Sequence, residues 1–352
     1  MKLPQFQDER SAQPASPTKP RRHPSIVGLL VSAALLLWWT LYPPAPELVE
    51  RYYSRLLYPL LARLLVGLSD SVTWSLAVPL LLLLLLLLII SFARSFWWGL
   101  RGLISLYLAF VLLWGANYQR LPLAQQLGLD ESPVQAEEMA TLAEVLLEHI
   151  LENAEAERDA SRALEAGRSA MQSLQRDISG VAVQLPQQIK TPLPEGWLLR
   201  WGGASGVISP LTLEAHVDPA LPSSSFIAIA LHELAHIAGY AGEADADLLA
   251  ALAGLQADDG YMRYAMALRL FQMLPRDLRR SLQDDLPEPA RQDLAALQAA
   301  YERHRAPLWL REAQRSIYDG YLRSQGVEAG IADYGRTPTL LVQAQRQGWL
   351  SD

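Results

Sequence analysis

Three ionisable residues interrupt an otherwise apolar stretch, IAIALHELAHIAGYAGEADAD, residues 227–247: His232, Glu233 and His236. Imidazoles four residues apart on a helix share one face, about one turn from each other, and Glu233 projects about 100° round from His232. Burying these groups unpaired would cost several kcal/mol. A divalent metal removes that cost, with the two neutral imidazoles as ligands. His-Glu-x-x-His is the zincin signature, in which the glutamate is the general base. Glu243, beyond a turn at 239–242, can complete a His2Glu set, the natural donor set for Zn2+ with an open fourth position. Asp247 falls one turn later on the same face and can orient a ligand histidine, whereas Asp245 points to the other side. The expected chemistry is peptide-bond hydrolysis by metal-activated water, with Glu233 taking the proton and delivering it to the leaving amine. Such a site also needs a donor for the oxyanion. Tyr264, Tyr301, His304, Tyr318, Tyr334 and Arg336 are candidates that spacing alone does not rank, and Tyr264, His304 and Tyr334 are carried forward.

The helix that positions the histidines follows Pro222, with Ser223 to Ser225 available to cap it. Phe226, Ile227, Ile229, Leu231, Leu234 and Ile237 make it apolar nearly all round, so it should be buried. The glycine- and proline-rich segment before it, 191–222, predicts a small hairpin or irregular short strands. Upstream, helices are predicted from Ser132-Pro133 to about Glu157 and from about Ser161 to Ile178. The chain after Pro222 reads as helical throughout. The fold class expected is mainly α.

Residues 1–24 are polar and proline-rich and read as a disordered basic arm. Residues 25–118 read as a membrane domain. Three apolar runs, at about 25–42, 74–92 and 96–114, approach the roughly 20 residues that a transmembrane helix needs; the second contains nine consecutive leucines, Leu80 to Leu88. Between the first two, about 47–68, leucines at helical spacing predict an amphipathic helix lying on the membrane surface or packed on the other spans. Arginine and lysine placement favours the arm in the cytoplasm, which puts residues 119–352 outside it. The metal motif itself, 226–239, is too short to span a bilayer.

The chain has 352 residues, 51% hydrophobic with the excess before residue 120, no cysteine and a net charge of −7. Cysteine's absence excludes disulfides, thiolate ligands and a cysteine nucleophile, and the negative charge argues against a nucleic-acid partner. The expected partners are the lipid bilayer and a peptide or protein substrate near its surface; oligomeric state is left open.

Several segments carry a resemblance to a known family: YYSRLLYPLLARLL, WGANYQRLPLA, GVISPLTLEAHVD, HELAHIAGYAGEADAD and YLRSQGVEAGIADYGRTPTLL. The sequence resembles domain of unknown function 3810, bacterial multi-pass membrane proteins with a zincin-like metallopeptidase domain. The resemblance implies an inner-membrane location and a C-terminal zincin domain, and implies no substrate. The run Glu243-x-x-Ala246-Asp247 is similar to the third-ligand motif of gluzincin membrane peptidases, which again makes Glu243 the ligand and Asp247 its support. His216 and Asp218 stand where asparagines are expected in this family. Two other readings compete: a catalytically silent membrane sensor or scaffold that keeps the metal site, and a structural zinc site with His216 as a fourth ligand.

Overall fold

The computed structural model describes residues 26–191, 196–303, 306–327 and 330–350. The predicted arm, 1–24, lies outside the described residues. The fold is mainly helical, with 71% helix and 3% strand.

Four helices form the N-terminal part. Helix α1 (Ile26–Leu41) leads through a bend of 115° into α2 (Pro46–Asp70), and α3 (Ala77–Arg94) and α4 (Phe96–Leu113) pack together as a hairpin. The nine leucines give α3 an apolar surface on every side, and none of the residues in its span is buried within the protein. A helix apolar on every side is normally buried, either in a large core or in a bilayer. At 18 residues each, α3 and α4 are about 27 Å long, close to the apolar thickness of a bilayer. These two are long and apolar enough to cross a membrane; α1, at 16 residues, passes the same test only together with α2. The hairpin turns at a single extended residue, Ser95, whose hydroxyl accepts the Trp97 N–H at 3.3 Å. Gly99 permits the close approach there, because a Cβ on it would overlap the Phe92 ring.

The amphipathic segment uses two faces. Tyr58, Ala62, Val66 and Ser69 face inward, and the first three join the main hydrophobic core. Leu56, Leu60, Leu64 and Leu68 are exposed on the opposite side. The inner face therefore packs into the main core, and the leucine face is left uncovered by the described residues.

The C-terminal domain is built around α7 (Ser223–Ile237). Its neighbours are α6 (Ala160–Ser179), α8 (Glu243–Leu255), α9 (Gly260–Met273) and a small sheet, while α5 (Ala136–Asn153) packs on α9. The sheet holds β1 (Ile189–Lys190), β2 (Gly206–Ser209) and β3 (Glu214–Val217) in the order β1-β3-β2, with β2–β3 antiparallel and β1–β3 parallel. The predicted hairpin is thus present, and β2 is an edge strand. Helix α5 starts four residues later than Ser132, because Gln135 and Glu138 form its capping box. The rest of the chain adds α10 (Glu288–Arg303), α11 (Leu308–Ser324) and α12 (Thr337–Arg346).

One buried ion pair ties the two parts together. Glu214 on β3 accepts the backbone N–H groups of Leu76 (2.8 Å) and Ala77 (2.7 Å), the first turn of α3. It also pairs with Lys190 Nζ at 2.5 Å and accepts from Thr212 and Ser75. A carboxylate at a helix N-terminus satisfies otherwise orphaned donors and complements the helix dipole.

Candidate metal centre

His232 and His236 lie one turn apart on α7, both buried, with ring centroids 4.8 Å apart. The turn after α7 depends on Gly239, whose φ of 93° is costly for any residue with a Cβ. It delivers Glu243 to the start of α8, where Glu243 Oε2 stands 3.3 Å from Nε2 of each histidine. One ligand atom from each of the three residues lies within 4.8 Å of the others. Glu243 Oε2 is buried and has no hydrogen-bond partner. Two imidazole nitrogens and an unsatisfied carboxylate oxygen converging on one point form a donor set that fits a divalent cation.

The other ring nitrogens are held elsewhere. His236 Nδ1 is 2.8 Å from the carbonyl of Tyr240, so Nδ1 carries the proton and Nε2 presents its lone pair. His232 Nδ1 is 2.7 Å from Asp247 Oδ1. Asp247 in turn accepts from Arg269 (3.1 Å) and from Thr337 Oγ1 (3.1 Å). Such outer partners fix ring tautomer and orientation in metal sites. Asp245, as its helical position suggests, turns away and accepts the Leu123 N–H at 3.1 Å.

The electrostatics are those of a buried, mutually compensating cluster. Burial works against charge on His232, but Asp247 outweighs it and holds the ring's pKa up at about 10. Burial alone would raise Glu243 and Asp247. His236 and His232 instead hold Glu243 well below its usual range, and His232 with Arg269 brings Asp247 down to about 2. Glu233 differs, since burial dominates and pushes its carboxyl up. Its side chain rests against the backbone of β2; a Cβ on Gly206 would stand 2.5 Å from Glu233 Oε1.

The carbonyls at the end of α7 are satisfied from four directions. Trp114 Nε1 donates to His236 (3.0 Å), the Tyr58 hydroxyl to Ile237 (2.6 Å), Gln175 to Ala238 (3.0 Å) and Arg120 to Gly239 (2.9 Å). Arg120 is also paired with Glu50 (2.9 Å) and lies over the Tyr240 ring, 4.0 Å from its centroid. The last carbonyls of a helix have no partner within it, so residues from α2, α6 and the chain just after α4 cap the helix that carries both histidines. The tail caps the other kind of end on α8: Asp333 accepts the Ala244 N–H, in its first turn, at 3.1 Å.

Of the carried-forward oxyanion candidates, Tyr264 donates to Asp293 Oδ2 at 2.9 Å, beside an Arg158–Asp293 ion pair, and is committed there. His304 and the Tyr334 side chain lie outside the described residues. Tyr318, on α11, is the candidate brought to the site: its hydroxyl donates to Glu243 Oε1. Tyr301 sits beside β2, with its hydroxyl 3.0 Å from Ser205 Oγ. His216 Nε2 bonds to Ser75 Oγ at 2.8 Å and is not part of the cluster. Asp218 takes Arg200 at 2.6 Å.

The molecule is therefore a largely helical protein with two bilayer-length apolar helices and a buried His2Glu cluster able to hold a metal. It belongs to the family described as protein of unknown function (DUF3810), whose model matches residues 53–342. No curated protein and no solved structure matches the chain.

Proposed function

We propose that the chain is a zinc-dependent membrane metallopeptidase. The observation that carries this reading is the convergence of His232 Nε2, His236 Nε2 and Glu243 Oε2, with Nδ1 of each ring held against a protein oxygen. Zinc is the metal best suited to two imidazoles and a carboxylate, and when bound it supplies Lewis acidity toward water and a carbonyl oxygen. Glu233 acts as general base and then acid; burial raises its pKa toward the working range of such a group. Asp247 and the Tyr240 carbonyl hold the ligand rings, and Tyr318 holds Glu243. The edge strand β2 forms the wall beside Glu233, an arrangement in keeping with a zincin-like domain.

In this reading α1 is a third span beside α3 and α4. Its Gly28 lies against Arg101, near the hairpin tip that also carries Arg94, so α1 begins at the tip end. Those arginines and the basic arm then share one side. By the positive-inside rule that side is the cytoplasm of a bacterial inner membrane, with the metal domain on the opposite face and a peptide or protein substrate near the membrane surface.

The test is a comparison of wild type with Glu233→Gln. Each should hold about one zinc per chain, and only wild type should cleave a mixed peptide library. Equal cleavage by the two proteins overturns the proposal. A metal-loaded wild type without cleavage, whose cellular phenotype Glu233→Gln preserves, favours the silent sensor or scaffold.

A further inference from the structure

A cleft of about 890 Å³ opens beside β2 and belongs to none of the metal chemistry. Six arginines line it, Arg200, Arg276, Arg279, Arg280, Arg291 and Arg311, against two carboxylates, Asp218 and Glu302. Asp218 is taken by Arg200 and Arg291 is paired with Glu288. Among the described residues, Arg276, Arg279, Arg280 and Arg311 form no ion pair. Arg279 Nε is buried with no hydrogen-bond partner. In a chain of net charge −7, an unneutralised cluster of this size concentrates positive potential in one concavity. Guanidinium groups pair with carboxylates through two parallel hydrogen bonds.

One end of the cleft lies next to the strand that packs on the candidate general base. Ser205 lines the cleft, and the next residue, Gly206, is the one packed against Glu233. A smaller cavity that shares Gln272, Leu297 and Tyr301 with the cleft reaches Arg269, which bonds to Asp247 behind His232. No residue of α1 to α4 lines the cleft, so the groove is made wholly by the C-terminal domain.

We propose that this arginine-lined cleft binds an acidic polypeptide segment, the part of a substrate that continues from Glu233 past the Ser205 end of β2. The proposal rests on the metallopeptidase reading, but peptide binding by the cleft is measurable without cleavage. A volume of this size suits several residues of an extended chain. Its walls supply charge for aspartate and glutamate side chains, and Leu221, Phe271 and Leu294 supply apolar contact between them.

The experiment uses the full chain in detergent carrying Glu233→Gln, so that bound peptide is not cut. Fluorescence anisotropy compares two labelled peptides of equal length, one rich in glutamate and the other with glutamine in its place. The glutamate peptide should bind about tenfold more tightly, with the advantage shrinking as salt is added. The variant Arg276→Gln/Arg280→Gln/Arg311→Gln should lose that advantage. All three side chains are exposed, and the single substitution Arg311→Gln, on a separate helix, should give a smaller loss of the same kind. Equal affinity for the two peptides, or unchanged affinity in both variants, overturns the proposal. So does loss of binding to monomeric short-chain phosphatidylglycerol with peptide binding intact, which would make the cleft a lipid-headgroup site. Because binding is read on a chain unable to hydrolyse, failure of this proposal is distinct from failure of the enzymatic one.

Discussion

The indole Nε1 of Trp114 donates to the carbonyl of His236 at 3.0 Å, so the residue that ends the second bilayer-length helix caps the helix that carries the candidate metal ligands. Trp114 also stands edge-on to the His236 ring, with 6.5 Å between centroids. The carbonyl keeps the Gly239 N–H at 3.0 Å, so removing the indole donor costs one net hydrogen bond, about 0.5–1.5 kcal/mol. Trp114→Phe should therefore lower the unfolding midpoint in detergent while leaving about one zinc per chain bound. An unchanged midpoint would mean that the cap contributes nothing.

Gly206 makes a sharper probe of Glu233, because the strand backbone passes so close to the carboxylate. A methyl group on Gly206 would sit 2.5 Å from Glu233 Oε1 and 2.8 Å from its Cγ, contacts that force the side chain aside. A misplacement of about 1 Å in a catalytic group can cost on the order of 100-fold in rate. Gly206→Ala should reduce hydrolysis by about that factor with zinc content unchanged. Full activity in this variant would place the base elsewhere.

The Glu214 cluster predicts a dependence of stability on pH. Burial would raise the Glu214 carboxyl, but Lys190 and the N–H groups of Leu76 and Ala77 outweigh it and hold it below its ordinary 4.5. Burial likewise holds His216 below its ordinary 6.5. Both folded values are depressed. Each group thus contributes stability that is fully present above its ordinary value and is lost as pH falls through the lower folded value. The unfolding midpoint should fall on acidification, first with His216 and then with Glu214. Glu214→Gln leaves Lys190 buried without its partner, should cost about 3–5 kcal/mol at neutral pH, and should flatten the acid limb below about pH 4.5. A profile superimposable on wild type would contradict this account.

The site was legible in the sequence to the extent that it is local. His232, Glu233 and His236 are fixed by helical spacing, and Glu243 and Asp247 follow after a turn that needs Gly239. Strands β2 and β3 fall in the segment that glycine and proline marked, whereas β1 precedes it, and the pairing order was not legible. What spacing could not supply is contact across long stretches of chain. Tyr318 reaches Glu243 from 75 residues away, and Glu214 reaches Leu76 from 138. Tyr264 was an equally good donor on paper until Asp293 claimed its hydroxyl. The leucine pattern of α2 correctly marked an apolar stripe. The face that matters for the fold is the other one, Tyr58, Ala62 and Val66, which joins the main hydrophobic core, with the Tyr58 hydroxyl bonded to the Ile237 carbonyl. A periodic stripe identifies a surface without saying what covers its reverse side. The family segments acquire a common meaning from the structure: Trp114 and Arg120 cap α7, Glu214 anchors α3, and Asp333 and Thr337 support α8 and Asp247.

The central claim is the three-residue metal centre, and the most direct measurement is the zinc content of the purified full-length chain by elemental mass spectrometry, alongside His236→Ala. The account predicts about one zinc per wild-type chain and loss of that zinc in the variant. Wild-type protein that stays metal-free after equilibration with zinc, or a variant that keeps the full complement, would contradict it.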